Sequence, residues 1–230
     1  MKVRTLCWTT AVLAGSAGAT LTPASAQKPA KPAKPQKPST IQGPVSITAK
    51  PALVVFGSSV ALSGRVQNAV TSTTVTLLRR TLPSTTFAGT GTITVGKNGD
   101  YAFTQRPVRN TYYRAVSSLN PQTQSGDLLV KVRMLVGLRV SDSTPRSGQR
   151  VRFSGIVRPA HNGRTANIQR RSSTGSWVTI ARPTLRAVDA GTSRYSRTLR
   201  VRSSGVYRVR VLGHYDHAMG ISRERALATH

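Results

Sequence analysis

Acidic side chains are scarce: the chain has six Asp and Glu in 230 residues, against 34 Lys and Arg. So few carboxylates leave little for carboxylate-pair catalysis or for a calcium cage, which takes several oxygen ligands. Cysteine is nearly absent, with Cys7 alone. Aromatics make up 5%, and with little Leu and Met this argues against helical bundles and coiled coils. No run of 18 apolar residues exists, so no segment is long enough to span a bilayer as a helix. There is no G-x-S-x-G elbow and no phosphate-cradling G-x-x-x-x-G-K-[ST] loop. The chain therefore reads as non-enzymatic, without cofactor or metal.

The start of the chain has its own pattern. Lys2 and Arg4 are followed by an apolar stretch from about Leu6 to Ala19, then by Ala24-Ser25-Ala26. Charged start, short apolar core and small-residue exit are the marks of a secretory signal peptide, expected over 1–26 with cleavage before Gln27. Without Lys2 and Arg4, 32 basic residues against 6 acidic ones leave a net charge of +26. The mature protein is expected to be secreted, extracellular or envelope-associated. It would have no membrane span and no disulfide, so each domain must be held by its core alone.

Residues 27–43 open with Gln-Lys-Pro-Ala-Lys-Pro-Ala-Lys-Pro-Gln-Lys-Pro. Proline removes the helix donor and favours polyproline II, which has three residues per turn. Lys28, Lys31, Lys34 and Lys37 then line one edge of a semi-rigid basic linker. The segment reads either as a solvated tether or as a strip that tracks a polyanion.

The remainder repeats. Gly57-Ser58-Ser59-Val60-Ala61-Leu62-Ser63-Gly64-Arg65-Val66 matches Gly148-Gln149-Arg150-Val151-Arg152-Phe153-Ser154-Gly155-Ile156-Val157 at an offset of 91. Leu77-Leu78-Arg79-Arg80 matches Ile168-Gln169-Arg170-Arg171 at the same offset, and Tyr101 and Tyr113-Arg114 match Tyr195 and Tyr207-Arg208 at 94. Matched blocks in one order predict two homologous domains, 44–133 and 134–230. Val60, Leu62, Gly64 and Val66 share one face of a period-two strand, as do Val151, Phe153, Gly155 and Val157. Asn98-Gly99 and Ser173-Thr174-Gly175-Ser176 carry hairpin signals. About seven strands per copy, joined by turns, predict an all-β chain of two tandem β-sandwiches.

The run G-x-x-V-x-[LF]-S-G-x-V, the [LI]-x-R-R strand and Gly205-Val206-Tyr207-Arg208-Val209 resemble the bacterial immunoglobulin-like (Big, fibronectin-III-like) repeats of exported and surface proteins. The resemblance spans about 185 residues. It implies an immunoglobulin-like fold in both copies, with Tyr113 and Tyr207 at the corner-tyrosine position. It also implies adhesion, spacing or ligand display rather than catalysis.

Two local features carry possible chemistry. His214-Tyr215-Asp216-His217 offers nitrogen and oxygen donors of the kind zinc takes, but lacks a fourth ligand. The first copy has Ser117-Ser118-Leu119-Asn120 there, so the expectation is a solvated loop with Asp216 paired to an arginine. Trp177 opens a strand in which Val178 and Ile180 are expected to be buried, which turns the indole outward. There it either stacks on a sugar or base or covers the core edge, as its counterpart Phe87 suggests.

The arginines decide the functional expectation. The first copy carries 10 basic and 2 acidic residues, the second 18 arginines and 4 acids. Guanidinium binds phosphate and carboxylate bidentately, and a net +14 on one small domain repels itself unless an anion offsets it. Alternation turns Arg150, Arg152, Arg200 and Arg202 outward on neighbouring strands; with Arg208, Arg210 and the four spacer lysines they form the expected anion-binding set. The expected ligand is an anionic cell-wall polymer or surface glycan. Extracellular DNA or acidic polysaccharide, bound by a dedicated polyanion binder, and a protein partner, bound by an adhesin or inhibitor, are the alternatives.

Overall fold

The computed structural model describes residues 44–119 and 123–230, all of them in one compact unit. The expected signal peptide over 1–26 and the linker over 27–43, with Lys28, Lys31, Lys34 and Lys37, lie outside the described residues. Among those residues every regular element is a strand.

The first copy contains β1 (Thr48–Lys50), β2 (Leu53–Val55), β3 (Val60–Arg65), β4 (Thr74–Thr81), β5 (Ala88–Thr94), β6 (Asp100–Gln105), β7 (Thr111–Ser117) and β8 (Leu128–Arg133). They form a sheet of order β1-β3-β6 and a second of order β2-β8-β7-β4-β5. All pairings are antiparallel except that of β2 with β8. The second copy contains β9 (Leu135–Val136), β10 (Arg139–Val140), β11 (Gln149–Arg158), β12 (Ala166–Arg171), β13 (Trp177–Ala181), β14 (Arg186–Asp189), β15 (Thr192–Val201), β16 (Gly205–Val211), β17 (Gly220–Ile221) and β18 (Arg225–Leu227). One sheet runs β10-β11-β15-β14 with β9 also on β11; the other runs β13-β12-β16-β17 with β18 also on β16. An all-β chain built twice from a pair of small sheets is consistent with tandem β-sandwiches.

The alternating residues make the cores. Val60, Leu62 and Val66 are buried in a cluster with Val75, Leu77, Tyr113 and Val130. Val151, Phe153 and Val157 are buried in another with Ile168, Tyr207, Val209 and Leu227. The two clusters share no residue. Full burial of one such side chain is worth about 1.5–3 kcal/mol. The Phe153 and Tyr207 rings pack 5.1 Å apart, tilted by 51°.

The repeated Gly and Tyr have a joint explanation. In β3 and β11 the glycine lies beneath a tyrosine from the paired strand, Gly64 opposite Tyr101 and Gly155 opposite Tyr195. Tyr195 donates its hydroxyl proton to the Gly137 carbonyl at 2.7 Å, and Tyr101 donates to the Ser46 carbonyl. A methyl added at Gly155 would meet the Gly137 carbonyl and come 2.7 Å from the Tyr195 oxygen. All four tyrosines are buried in the cores, and it is Tyr101 and Tyr195 that make the hydroxyl-to-backbone bond.

Three local expectations need correction. Asn98-Gly99 forms a turn, with Gly99 at φ +79°, but it joins β5 to β6, which belong to different sheets. Ser173–Ser176 does close a hairpin, since Arg171 pairs with Trp177 across it. Val178 and Ile180 are exposed, on a strand that is the outermost of its sheet among the described residues. Finally, the first and last strands of the second copy are each split in two. Gly137-Leu138 interrupts one, freeing the carbonyl that Tyr195 uses. Ser222 interrupts the other, its hydroxyl accepting from Val209 N at 2.8 Å. Ser125 does the same for Ala115 N at 2.9 Å in the first copy.

Candidate functional site

The β11–β15 ladder is regular from Gln149↔Val201 to Val157↔Ser193. Val151 and Phe153 face the core, so Arg150 and Arg152 face out, and both are exposed. Arg150 lies directly across from Arg200, and Arg152 across from Thr198. Opposed Cβ atoms in such a ladder lie about 4.5–5.5 Å apart. Arg202 is exposed one residue beyond β15, where its carbonyl accepts from Ser147 Oγ at 2.9 Å. Arg197 has inward parity, opposite Phe153, yet is exposed, since β14 pairs with β15 only at its start and leaves that stretch uncovered.

An open groove of about 1250 Å³ extends this surface. Its lining includes Arg139, Arg152, Arg182, Arg186, Arg194, Arg197, Arg223 and Arg225, and no acidic residue. The arginines with an acid in ion-pair range, among the described residues, are Arg65, Arg80, Arg114 and Arg171. None of these lines the groove or belongs to the Arg150–Arg202 set.

Arg208 and Arg210 sit elsewhere, on β16 in the opposite sheet. Arg208 lies 4.0 Å over the Trp177 ring and donates from Nε to Gln169 Oε1 at 3.0 Å. Burial and the nearby Arg210 charge push its guanidinium pKa below the ordinary value. Arg171 lies 4.9 Å from the same ring and is paired to Glu224 at 2.8 Å. Trp177 thus faces outward, as its parity requires, but both guanidinium groups cover it. The first copy repeats the device. Phe87 lies between Arg80 (5.3 Å) and Arg114 (4.4 Å), with Asp127 bonded to Arg114 at 2.7 Å. Each such contact contributes about 0.5–1 kcal/mol at an exposed site. Arg208 is therefore occupied inside the protein, whereas Arg150, Arg152 and Arg200 are not.

The His214–His217 loop is not the solvated segment expected. His217 is 2% exposed, and Asp216 contacts two histidines rather than an arginine. Burial works against the Asp216 carboxylate, but His217, His161 and His214 together outweigh it and hold the carboxyl below its usual range. The loop packs on the first copy. Asn110 donates its backbone N–H to Asp216 O at 2.8 Å and its side-chain amide to Tyr215 O at 2.9 Å. Its Oδ1 accepts from Val132 N at 2.8 Å. His161 lies against His217, ring centres 5.0 Å apart, although 56 residues separate them in sequence. No motif marks His161; only the fold brings it there.

No family model matches the chain, and no curated protein matches it in sequence.

Proposed function

We propose that the protein is an exported, non-enzymatic tandem immunoglobulin-like module that is held on an anionic envelope polymer by its arginine face. The carrying observation is Arg150 set across from Arg200, with Arg152 alongside, where no acid offers any of them an ion pair. Like charges directly opposite each other destabilise a sheet. A bound polyanion relieves that repulsion, and guanidinium groups suit its phosphates or carboxylates. The immunoglobulin-like assignment draws support from the first copy, where a β1-β3-β6 sheet accompanies a sheet in which β2 runs parallel to β8. The arginine-lined groove beside the face adds cationic surface along which a polymer chain can continue.

The full chain and its Arg150→Ser/Arg152→Ser/Arg200→Ser/Arg202→Ser variant are titrated against a wall polymer and a DNA duplex across a salt series. The variant is expected to lower the duplex salt slope by about 3–4 units, at about 0.9 per phosphate contact, and to keep its fold. An unchanged slope assigns the arginines to solvation alone. Preference for the duplex at physiological salt favours a dedicated nucleic-acid binder, and salt-insensitive saturable binding to a protein favours an adhesin.

A further inference from the structure

We propose that His161, Asp216 and His217 form a binding site for a transition-metal dication of the zinc class at the junction of the two copies. One donor atom from each lies within 4.8 Å of the other two. Both imidazoles are fixed through a backbone carbonyl. His161 Nδ1 lies 2.8 Å from Pro159 O, and His217 Nε2 lies 2.7 Å from Val108 O. A carbonyl can only accept, so each of these nitrogens carries the proton. In the neutral ring the opposite nitrogen of each is then a lone pair open to a metal.

Those two nitrogens, His161 Nε2 and His217 Nδ1, are buried and without a hydrogen-bond partner, on residues 8% and 2% exposed. A buried acceptor with nothing to accept is costly. His217 Nδ1 also lies 3.2 Å from Asp216 Oδ2, at an angle that makes no hydrogen bond. Two lone pairs at that distance repel unless a proton or a metal cation lies between them. Backbone-anchored imidazoles presenting the free nitrogen, with a carboxylate beside them, are the arrangement seen around bound zinc.

The spacing agrees. Bonds of about 2.0–2.1 Å in a tetrahedron put ligand atoms about 3.3 Å apart, and the His217–Asp216 pair already has that separation. The third donor, from His161, lies within 4.8 Å of the other two. Two imidazoles and one carboxylate select zinc and its neighbours over calcium or magnesium, which take oxygen. Three protein ligands leave one position for water or an outside donor. Because His217 bonds Val108 and the neighbouring loop backbone bonds Asn110, a metal here ties the loops of the second copy where they rest on the first. The proposal does not depend on the arginine face.

The test uses the full chain, stripped by a chelator and titrated with Zn²⁺ alone and Co²⁺ alone. One equivalent of each is expected to bind, Co²⁺ giving the visible absorption of a four-coordinate site and Zn²⁺ raising the melting temperature. His161→Gln and Asp216→Asn are expected to weaken Zn²⁺ binding by at least about 10–100-fold, the loss seen when even an outer-shell partner is removed. Their metal-free circular dichroism should match the parent. His230→Ala, an exposed histidine outside the cluster, should bind as the parent does. If His161→Gln does not fold, Asp216→Asn decides the matter. Absence of both the Co²⁺ band and the Zn²⁺ shift in the parent overturns the proposal. So does undiminished binding in the two ligand variants.

Discussion

The two copies agree inside and differ outside. Gly64 under Tyr101 repeats as Gly155 under Tyr195, and Phe87 between two arginines repeats as Trp177 between two others. Ser125 and Ser222 make the same strand-breaking bond. On the outer face of the corresponding sheet the likeness ends. Ala61 pairs with Thr104 where Arg152 pairs with Thr198, and Ser59 stands where the second copy has Arg150. Arg106, the counterpart of Arg200, turns back to donate to Gly57 O at 2.7 Å. A sandwich of this kind therefore does not require the arginines. They are an addition to a frame that stands without them.

The comparison can be broken first at the cores. Phe153→Ala should destabilise the second copy by about 3–5 kcal/mol, and Leu62→Ala the first by about 2–5 kcal/mol. With residues 1–26, and so Trp8, removed, tryptophan fluorescence comes from Trp177 in the second copy, so thermal unfolding followed by it should shift with Phe153→Ala and little with Leu62→Ala. Equal shifts would mean that the junction couples the copies into one unfolding unit.

Alkaline unfolding sharpens the comparison further. Burial raises the pKa of Tyr101, Tyr113 and Tyr195, Tyr113 to about 12. The unfolded residues ionise near pH 10, so the fold favours the neutral form. That stability is present below pH 10 and is lost between about 10 and 12, at about 1.36 kcal/mol per unit for each group. Two of the three tyrosines are in the first copy. An alkaline titration followed by circular dichroism and by Trp177 should show the first copy failing before the second. The reverse order would contradict this account.

The smallest expected effect comes from the hydroxyl lock. Tyr195→Phe and Tyr101→Phe each remove one hydrogen bond, at about 0.5–1.5 kcal/mol. Denaturant midpoints should fall by similar amounts in the two copies. A loss in only one would show that the lock is kept for shape in the other.

What the sequence made legible follows from period two. Alternation through Val151-Arg152-Phe153 was enough to place one side chain inside and the next outside, whereas the pairing of Arg150 with Arg200 is set by the β11–β15 register, which alternation does not give. It failed where neighbouring strands decide the outcome. Val178 and Ile180 alternate as buried residues do, yet β13 is the outermost strand of its sheet among the described residues. Asn98-Gly99 has the chemistry of a hairpin, but the chain there crosses between sheets. His161 was invisible because a ligand set is assembled by loops distant in sequence, and nothing local distinguishes a histidine that will face another from one that will face water.

That bare edge has a further consequence. Among the described residues β13 presents unpaired backbone groups together with Val178 and Ile180, 52% and 42% exposed. An apolar edge strand of this kind is a template on which another molecule can add its own strand, the first step of ordered aggregation. Arg182, directly after the strand and without an ion pair among the described residues, places positive charge at its end. Two copies approaching edge to edge would bring those charges together, so the same excess of arginine also acts as a guard on solubility, and a guard that weakens as ionic strength rises.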